Sequence, residues 1–325
     1  MPKQREKDLD LPARVYKKHG AYYYVHHDKR WERLGTSRIE ALAQYHRMAD
    51  SPQRIMKISD LIDRYMKEIS PLKAETTHES EIAAARNLNE ALGHIPPTQL
   101  TTRMVYEYMD MRGKTAPTRT NREIALLSHM FKKGIRWGAS DFNPVVGVER
   151  NKEKPRTRYV TDNELRAFQS VCPEWMALYC ELKYYTGLRK TDMLDLQWSK
   201  IDEVGIHVKV SKTSGNFVFL NTPKTLETLE KIKEYYRDIC SPYVFPTQKG
   251  TKYTDAGFRA IFYRAMQKTL EKNLISESFR EPDIRAKTGS DSESSAAAKT
   301  LLGHSTKKTT NRHYRRLPEK VTPLV

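Results

Sequence analysis

The C-terminal half of the chain holds side chains that could break a phosphodiester without a metal ion. Such cleavage needs a nucleophile for phosphorus, cations that neutralise charge on the non-bridging oxygens, and a proton donor for the leaving oxygen. Tyrosine suits the first role because it forms a stable phosphoester. Arginine suits the second because its planar fork binds two phosphate oxygens, and lysine or histidine suits the third. Side chains of these types are Arg189, Lys212, Arg285, His304 and Tyr314.

The first two of these residues lie in distinctive local sequences. Arg189 belongs to Thr-Gly-Leu-Arg-Lys-Thr-Asp at positions 186–192. Asp192 follows it by three residues, so on a helix the carboxylate can support the guanidinium. Lys212 lies in Ser-Lys-Thr-Ser-Gly, between two β-type segments, which predicts a lysine in a hairpin turn. Hairpin lysines are usually solvated, so Lys212 could be an exposed lysine without a catalytic role. Arg189 could likewise be a surface arginine, and both alternatives stay open.

The other three candidates follow in close order. Arg285 ends a Pro-Asp-Ile-Arg sequence, a Leu-Gly-His-Ser sequence contains His304, and Tyr314 comes ten residues after that histidine. As alternatives, Arg285 could be only a contact to a phosphate backbone and His304 could cap a helix. Three other tyrosines compete with Tyr314 but do not stand at this spacing: Tyr243, Tyr253 and Tyr263.

Together these motifs resemble those of the tyrosine recombinases, specifically the phage and genomic-island integrases. The resemblance is strong over residues 155–320, and the combination of motifs is far more specific than any one of them. It implies integration and excision of a mobile element through a 3′-phosphotyrosyl intermediate. It also implies double-stranded DNA with core and arm sites as the partner, a homotetramer on that DNA, and the option of a DNA-bending host factor and an excision factor. No metal, ATP or other cofactor is implied.

The same resemblance gives each candidate a role. The two arginines would hold the scissile phosphate, and the lysine would protonate the leaving 5′ hydroxyl. The histidine would hydrogen-bond the phosphate or help to move a proton, and the tyrosine would attack phosphorus. Asp192 would buttress the arginines. These roles fall on Arg189, Arg285, Lys212, His304 and Tyr314.

One position departs from the family pattern. The family has a histidine three residues before the second arginine, and here Pro282 stands there. Proline carries no side-chain proton, although it fits the first turn of a helix, where backbone N–H groups are unpaired. By analogy with oxyanion-hole donors, losing a phosphate contact costs about 10²–10³ in rate. Three interpretations stay open. The chain is a natural variant in which His304 and Lys212 are sufficient for catalysis, an enzyme with a slower reaction, or an impaired relative that still binds DNA.

The predicted fold is α+β and multidomain. Ala-Tyr-Tyr-Tyr-Val at 21–25 and Arg-Trp-Glu-Arg-Leu at 30–34 predict two strands, followed by a helix that Thr36 or Ser37 caps, with Glu40 in a capping box. We interpret residues 1–55 as an arm-type DNA-binding domain with a net charge of about +6 over the first 57 residues. A basic sheet with exposed aromatics could enter a DNA groove, although most of the tyrosines could simply pack on the helix. The candidate contacts are Arg14, Lys17, Lys18, Arg30 and Arg33.

Residues 56–150 read as a helical core-binding domain of four or five amphipathic helices, with Arg119 and Arg122 as candidate DNA contacts. Pro- and charge-rich residues 151–160 predict an exposed basic linker. Thr161 and Glu164 then predict a capping box. We interpret 151–325 as the catalytic domain, mainly helical with a small antiparallel sheet.

Composition agrees with a DNA partner. The 325-residue chain has 57 Lys and Arg against 40 Asp and Glu, a net charge of +17, which predicts a polyanionic partner. Three cysteines without a close pair predict neither a disulfide framework nor a zinc site. No apolar run is long enough to span a membrane. We therefore expect a protein of the bacterial cytoplasm, associated with the nucleoid.

Two alternatives to an integrase remain at this point. One is a tyrosine recombinase that resolves dimers or inverts segments, against which the basic N-terminal unit argues, since simpler resolvases usually lack it. The other is a DNA-binding protein without catalysis, which Pro282 motivates. The sequence does not give the DNA target, because base readout depends on a few side chains in the grooves.

Overall fold

The protein folds as two compact units, residues 1–153 and 154–325. The computed structural model describes five stretches of the chain: 11–12, 14–25, 30–50, 55–209 and 215–318. Within them, α-helices alternate with two small antiparallel sheets. The predicted mixed α and β fold is therefore confirmed.

The first unit begins with a three-stranded antiparallel sheet and a helix: β1 (Val15–Lys18), β2 (Ala21–Val25), β3 (Trp31–Gly35) and α1 (Arg38–Asp50). The predicted helix cap is confirmed, since Ser37 Oγ accepts the Glu40 N–H at 3.1 Å. Apolar side chains from the sheet and helix form a small core: Leu11, Val15, Tyr22, Leu34 and Ala41.

The sequence reading missed β1. Its Val-Tyr-Lys-Lys sequence is short and polar, with one buried residue, Val15. The signal lay in the turn after it, where His19 (φ 49°) and Gly20 (φ 72°) join β1 to β2. A two-residue hairpin turn whose twist matches that of its strands requires positive φ at both central residues. Glycine adopts positive φ at little energetic cost, so Gly20 favours this turn.

The described residues of the first unit from 55 onward are helical, as predicted, with four α-helices: α2 (Ile58–Glu68), α3 (Glu75–Leu92), α4 (Thr102–Gly113) and α5 (Pro117–Arg136). Thr101 caps α4 by accepting the Met104 N–H at 3.3 Å. Leucine, isoleucine and aromatic side chains from all four helices form one core, separate from that of the sheet.

The second unit contains eight α-helices and a hairpin among the residues described: α6 (Asp162–Gln169), α7 (Glu174–Thr186), α8 (Lys190–Leu194), β4 (Gly205–Lys209), β5 (Asn216–Leu220), α9 (Pro223–Tyr235), α10 (Asp255–Glu271), α11 (Glu281–Asp291), α12 (Ser295–Leu301) and α13 (Lys307–His313). The predicted hairpin is confirmed, with Lys209 opposite Asn216. The Thr161 capping box is also confirmed, since Thr161 Oγ1 accepts the Glu164 N–H at 3.3 Å.

The expected exposed linker over residues 151–160 is wrong at Arg158, whereas Arg156 is exposed as expected but ion-paired. Arg156 Nε donates to both carboxylate oxygens of Asp283 at 3.0 Å. Arg158 is only 12% exposed and pairs with Glu164. Both arginines are held within the second unit by carboxylates: Arg156 by Asp283, which is distant in sequence, and Arg158 by Glu164 in the next helix.

No helix in the described stretches is long and apolar enough to cross a membrane.

Candidate active site

Three of the predicted catalytic residues meet in the second unit. Arg285 extends from α11, His304 follows α12, and Tyr314 follows the last residue of α13. Arg285 Nη2 lies 3.2 Å from His304 Nε2, and its guanidinium carbon lies 5.3 Å from the centre of the Tyr314 ring. The rings of His304 and Tyr314 are 4.5 Å apart. The structure thus brings a tyrosine, a histidine and an arginine into one cluster.

Arg189 belongs to the same cluster through its charge. It is the N-cap residue of α8. Burial is the main cause that lowers the pKa of Arg285 and of His304, and the positive charge of Arg189 lowers both pKa values further. Its guanidinium makes no hydrogen bond or ion pair with any residue in the described stretches. The guanidinium groups of Arg189 and Arg285 repel each other, and a phosphate bound between them would relieve that repulsion. The pair is therefore suited to bind one anion together.

Gly187 sets the position of Arg189. It ends α7 with a left-handed φ of 61°, which glycine adopts without steric cost. A Cβ at this position would lie 2.7 Å from Leu302 Cδ2. The Gly-Leu-Arg sequence therefore turns the chain sharply at a close contact and starts α8 at the arginine.

Arg285 is 5% exposed, and its hydrogen bonds leave donors free. The guanidinium has five N–H donors. Three of them are directed at the carbonyl oxygens of Gly187 and Leu302 and at His304 Nε2. Nε has no partner among the described residues. A buried, unpaired N–H is costly to a protein, and a phosphate oxygen would satisfy it.

His304 is a neutral ring with a defined tautomer. Arginine cannot accept a hydrogen bond, so Nε2 accepts from Arg285. Nδ1 then carries the proton and donates it to Thr310 Oγ1 at 2.9 Å. Burial first, and then nearby positive charge, lowers the pKa of His304 to about 4. The ring therefore presents an unprotonated Nε2 near Tyr314 at neutral pH.

Tyr314 is held through its backbone. Its N–H donates to Thr310 O at 2.9 Å, and its carbonyl oxygen accepts from Ser290 Oγ at 2.9 Å. Gly289 permits this approach, because a Cβ there would lie 3.1 Å from Tyr314 Cβ and 2.9 Å from Leu302 Cδ1. Tyr314 is half-buried.

The other predicted residues of this site have different outcomes. Asp192 is buried on α8, and its negative charge partly offsets the lowering of the Arg285 pKa by burial and by Arg189, which agrees with a supporting role. Pro282 lies in the first turn of α11, as predicted, and is exposed. Lys212 lies outside the described residues, although the two strands that flank it are present.

Sequence reasoning missed a buried ion pair beneath the site. Lys183 is 1% exposed and lies 2.6 Å from Glu281 Oε1, and it also donates to Leu188 O at 2.7 Å. The Tyr179 hydroxyl donates to the same glutamate oxygen at 2.6 Å. Burial lowers the pKa of Lys183. The available signal was a lysine inside a mainly apolar helix before the Gly-Leu-Arg turn.

The N-terminal candidates lie on a sheet with two different faces. One face packs on α1 through Val15, Tyr22 and Leu34. The opposite face exposes Trp31 (50%) and Tyr16 (37%), whose ring centres are 6.0 Å apart. The residues of this aromatic–basic face alternate along the strands: Tyr16, Lys18, Tyr23, Trp31 and Arg33.

The predicted basic residues divide between these faces. Lys18 Nζ lies 5.3 Å from the Trp31 ring, whereas Lys17 Nζ lies over Tyr22, on the face toward α1. Arg30 is exposed and Arg14 is half-buried. In the helical part of the first unit, both remaining candidates are exposed near the start of α5 and line a cleft against α3: Arg119 and Arg122.

Comparison with known proteins identifies the class. Residues 158–320, half of the chain, match the model of the phage integrase family, and the chain belongs to that family. It is 28% identical over 263 residues to the integrase of Enterobacteria phage 434, a match that covers 69% of this chain and 71% of that protein. The integrase of Escherichia phage lambda is 27% identical with the same coverage. The predicted class, a tyrosine recombinase that acts site-specifically, is confirmed.

Solved structures share the fold. A lambda integrase dimer bound to a COC′ core site has a TM-score of 0.69 at 20% identity, covering 98% of this chain and 99% of that one. A lambda integrase tetramer bound to a Holliday junction has a TM-score of 0.67 at 20% identity, covering 92% and 97%. The integrase of transposon Tn1549, in complex with circular intermediate DNA, has a TM-score of 0.65 at 14% identity, covering 79% and 95%.

Proposed function

We propose that this chain is the integrase of a mobile element and that Tyr314 cleaves and rejoins DNA strands at core-type sites. The observation that carries the proposal is the meeting of Tyr314, His304 and Arg285 in a chain of the phage integrase family. The phenol oxygen bonds to phosphorus and the bond from phosphorus to the 5′ oxygen breaks. The product is a 3′-phosphotyrosyl linkage, and rejoining is the reverse reaction.

Arg189 and Arg285 bind the scissile phosphate in this mechanism. Arg285 offers Nε–H, which has no partner among the described residues, and Arg189 offers a guanidinium without a described ion pair. Because backbone carbonyls hold Arg285 before the substrate arrives, its guanidinium needs little reorganisation as charge develops on the phosphate. Each such donor contributes about 10²–10³ in rate.

His304 takes the phenol proton of Tyr314 in this mechanism. Its Nε2 is unprotonated and its other nitrogen is committed to Thr310. When phosphate oxygens draw the N–H groups of Arg285, Nε2 becomes free to accept the proton. This assignment gives the chain a base although Pro282 has no side-chain proton acceptor. Lys212 supplies the proton for the leaving 5′ oxygen, the role that the resemblance gives it.

The rest of the chain would provide DNA binding. Residues 1–55 would bind arm sites through the aromatic–basic face, 56–150 would bind the core site, and 151–325 would carry the chemistry. The net charge of +17 favours such contacts. Lambda integrase has been seen as a dimer on a core site and as a tetramer on a Holliday junction, and we propose a tetramer here. A DNA-bending host factor, an excision factor and a place on the bacterial nucleoid complete the proposal.

Trapping of the covalent intermediate tests this function. The full chain is mixed with a nicked duplex from its own attachment region, and an SDS-resistant adduct is measured. Wild-type protein should form the adduct, and Tyr314→Phe should form none while binding the duplex equally well. An adduct that persists in Tyr314→Phe would overturn the assignment of the nucleophile.

The exposed Pro282 supports one alternative, a DNA-binding relative with impaired catalysis. The same assay separates it from the integrase with a Pro282→His variant. An adduct formed only by that variant would identify an impaired enzyme with an intact site. No adduct from either protein, despite tight binding, would support a role in DNA binding alone.

A further inference from the structure

The residues that follow Tyr314 are fastened to α11. The Arg316 N–H donates to Ser290 Oγ at 2.8 Å, and Arg316 Nη1 donates to Asp283 Oδ1 at 2.6 Å. The same Nη1 also donates to Arg158 O at 2.6 Å. The Arg316 side chain is 9% exposed. It is therefore occupied inside the protein and is not a surface cation available to DNA.

Asp283 receives this arginine at a fully buried carboxylate. Its side chain is 1% exposed, and it also accepts from Arg156 Nε and from the Arg280 N–H at 2.8 Å. It lies in the first turn of α11, two residues before Arg285. One carboxylate thus joins the start of the second unit, the helix that carries Arg285, and the segment after Tyr314.

The helix before Tyr314 is too short to fix it alone. α13 has seven residues and ends at His313, and Tyr314 retains one backbone bond to the last turn. Helix ends fray readily, and a helix of this length has little stability of its own. The path of the chain beyond Tyr314 must therefore help to define where the phenol lies.

We propose that Arg316 and Asp283 are positioning residues that hold Tyr314 beside Arg285 and His304. Their ion pair ties the downstream side of the nucleophile to the helix that carries the phosphate-binding arginine. Displacement of a nucleophile by about 1 Å can cost about 10²-fold in rate. This proposal rests on the function proposed above, because it assumes that Tyr314 attacks the phosphate.

Arg316→Ala is the more informative variant of the pair. Without Arg316, Asp283 keeps Arg156 and the Arg280 N–H as partners, so its charge stays compensated and the fold is retained. Loss of Asp283 would remove the carboxylate that pairs with the buried Arg316 side chain and with the exposed Arg156, and an unpaired buried donor is costly to stability. Lys307→Ala is the matched control, since it removes one exposed charge of α13.

The test separates positioning from binding and from folding. Single-turnover adduct formation is measured on a nicked attachment-region duplex at saturating full-length protein, beside the Kd for the uncleaved duplex and the melting temperature. We expect Arg316→Ala to slow adduct formation by about 10–100-fold while its Kd stays within about twofold of wild type. Arg316→Lys should recover part of the rate, because an ammonium can still reach the carboxylate but not both acceptors.

Each outcome has a defined meaning. An Arg316→Ala rate equal to that of Lys307→Ala would overturn the proposal, and so would a loss of rate that only follows weaker binding or a lower melting temperature. In a double-mutant cycle, Asp283→Asn should add little to the rate defect of Arg316→Ala; additive rate defects would also reject it. If wild-type protein forms no adduct, the proposed function has failed instead.

Discussion

At the scale of single residues, His304 shows how neighbours define a chemical role. The arginine on one side can only donate, so the histidine nitrogen facing it must accept. Thr310, on the other side, is fully buried and receives the remaining proton. The tautomer follows from these two partners. The role proposed for His304 as a base therefore depends on a buried threonine.

The depressed pKa of His304 predicts a pH dependence of stability. The folded value is about 4, whereas an unfolded histidine has a pKa of about 6.5. Between these values the unfolded chain binds more protons, so acidification favours unfolding. We expect the free energy of unfolding of wild type to fall by up to about 3 kcal/mol from pH 6.5 to 4, relative to His304→Gln. Denaturant titrations of both proteins across that range measure the difference, and parallel pH profiles would contradict it.

Pro282→His should increase catalysis. The position is exposed in the first turn of α11, so a histidine fits without disturbing the core. If the side chain reaches the phosphate, adduct formation should rise by about 10²–10³-fold, the range for one added donor. The single-turnover rate on the nicked duplex measures this effect. Pro282→Ala is the control, since it removes the ring without adding a donor, and an equal gain in both variants would assign the change to the backbone.

Much of this site could be predicted from the residue types and their order in the sequence. Arg189, Arg285, His304 and Tyr314 were predicted and lie together. The partners that set their states were not predicted, because Thr310, Ser290 and Leu302 carry no chemical signature in a sequence. The carbonyl of Leu302, for example, contacts Arg285 only because Gly187 and Gly289 let the chains approach.

At the scale of elements, α11 is a buried helix built largely from polar residues. Positions 283–290 are all buried, yet most of them are not apolar. The charged groups other than Arg285 are ion-paired: Glu281 with Lys183, Asp283 with Arg156, and Lys287 with Asp162 and Asp291. Periodicity of apolar residues cannot predict such an element, and its ion-pair partners lie as far as 127 residues away in sequence. This explains why the linker over 151–160 was misjudged.

Replacing only one member of the buried Lys183–Glu281 ion pair should strongly destabilise the fold. Lys183→Met leaves Glu281 charged and buried, an arrangement that costs about 3–5 kcal/mol. Lys183→Met combined with Glu281→Gln should recover most of that loss, because glutamine is neutral and still accepts from Tyr179. Denaturant unfolding provides the measurement. Lys231→Ala, which breaks an exposed pair with Glu227, should cost under about 1 kcal/mol; a similar cost at Lys183 would refute the argument.

Gly289→Ala should weaken catalysis more than stability. Within a helix this exchange normally stabilises by about 1 kcal/mol. Here the new methyl group would lie 2.9 Å from Leu302 Cδ1 and 3.1 Å from Tyr314 Cβ, so the Tyr314 segment must shift. We expect adduct formation to fall about tenfold or more with little change in melting temperature. Gly113→Ala, at the end of α4, is the control. Unchanged adduct formation in Gly289→Ala would show that the contact relaxes without moving the nucleophile.

At the scale of the whole molecule, the aromatic–basic face and the Arg285–His304–Tyr314 cluster lie in different parts of the chain. The catalytic cluster lies in residues 154–325, whereas the aromatic–basic face belongs to the first unit. The sequence predicted the basic N-terminal sheet but not which residues share a face. Which residues share that face depends on β1, a short and polar strand that the sequence did not predict, and on the bulge between Tyr22 and Tyr23. The alternation of buried and exposed residues follows from the pairing.

If the aromatic–basic face binds arm DNA, its cations should appear in the salt dependence of binding. Lys18 and Arg33 lie on this face and are exposed. Each phosphate contact contributes about 0.9 to the slope of log K against log salt concentration. We therefore expect Lys18→Gln with Arg33→Gln to lower that slope by about two for an arm-site duplex, and to leave core-site adduct formation unchanged. Lys231→Gln with Lys249→Gln removes the same charge from the other unit. Equal slopes in the two double variants would mean that net charge, and not this face, governs arm binding.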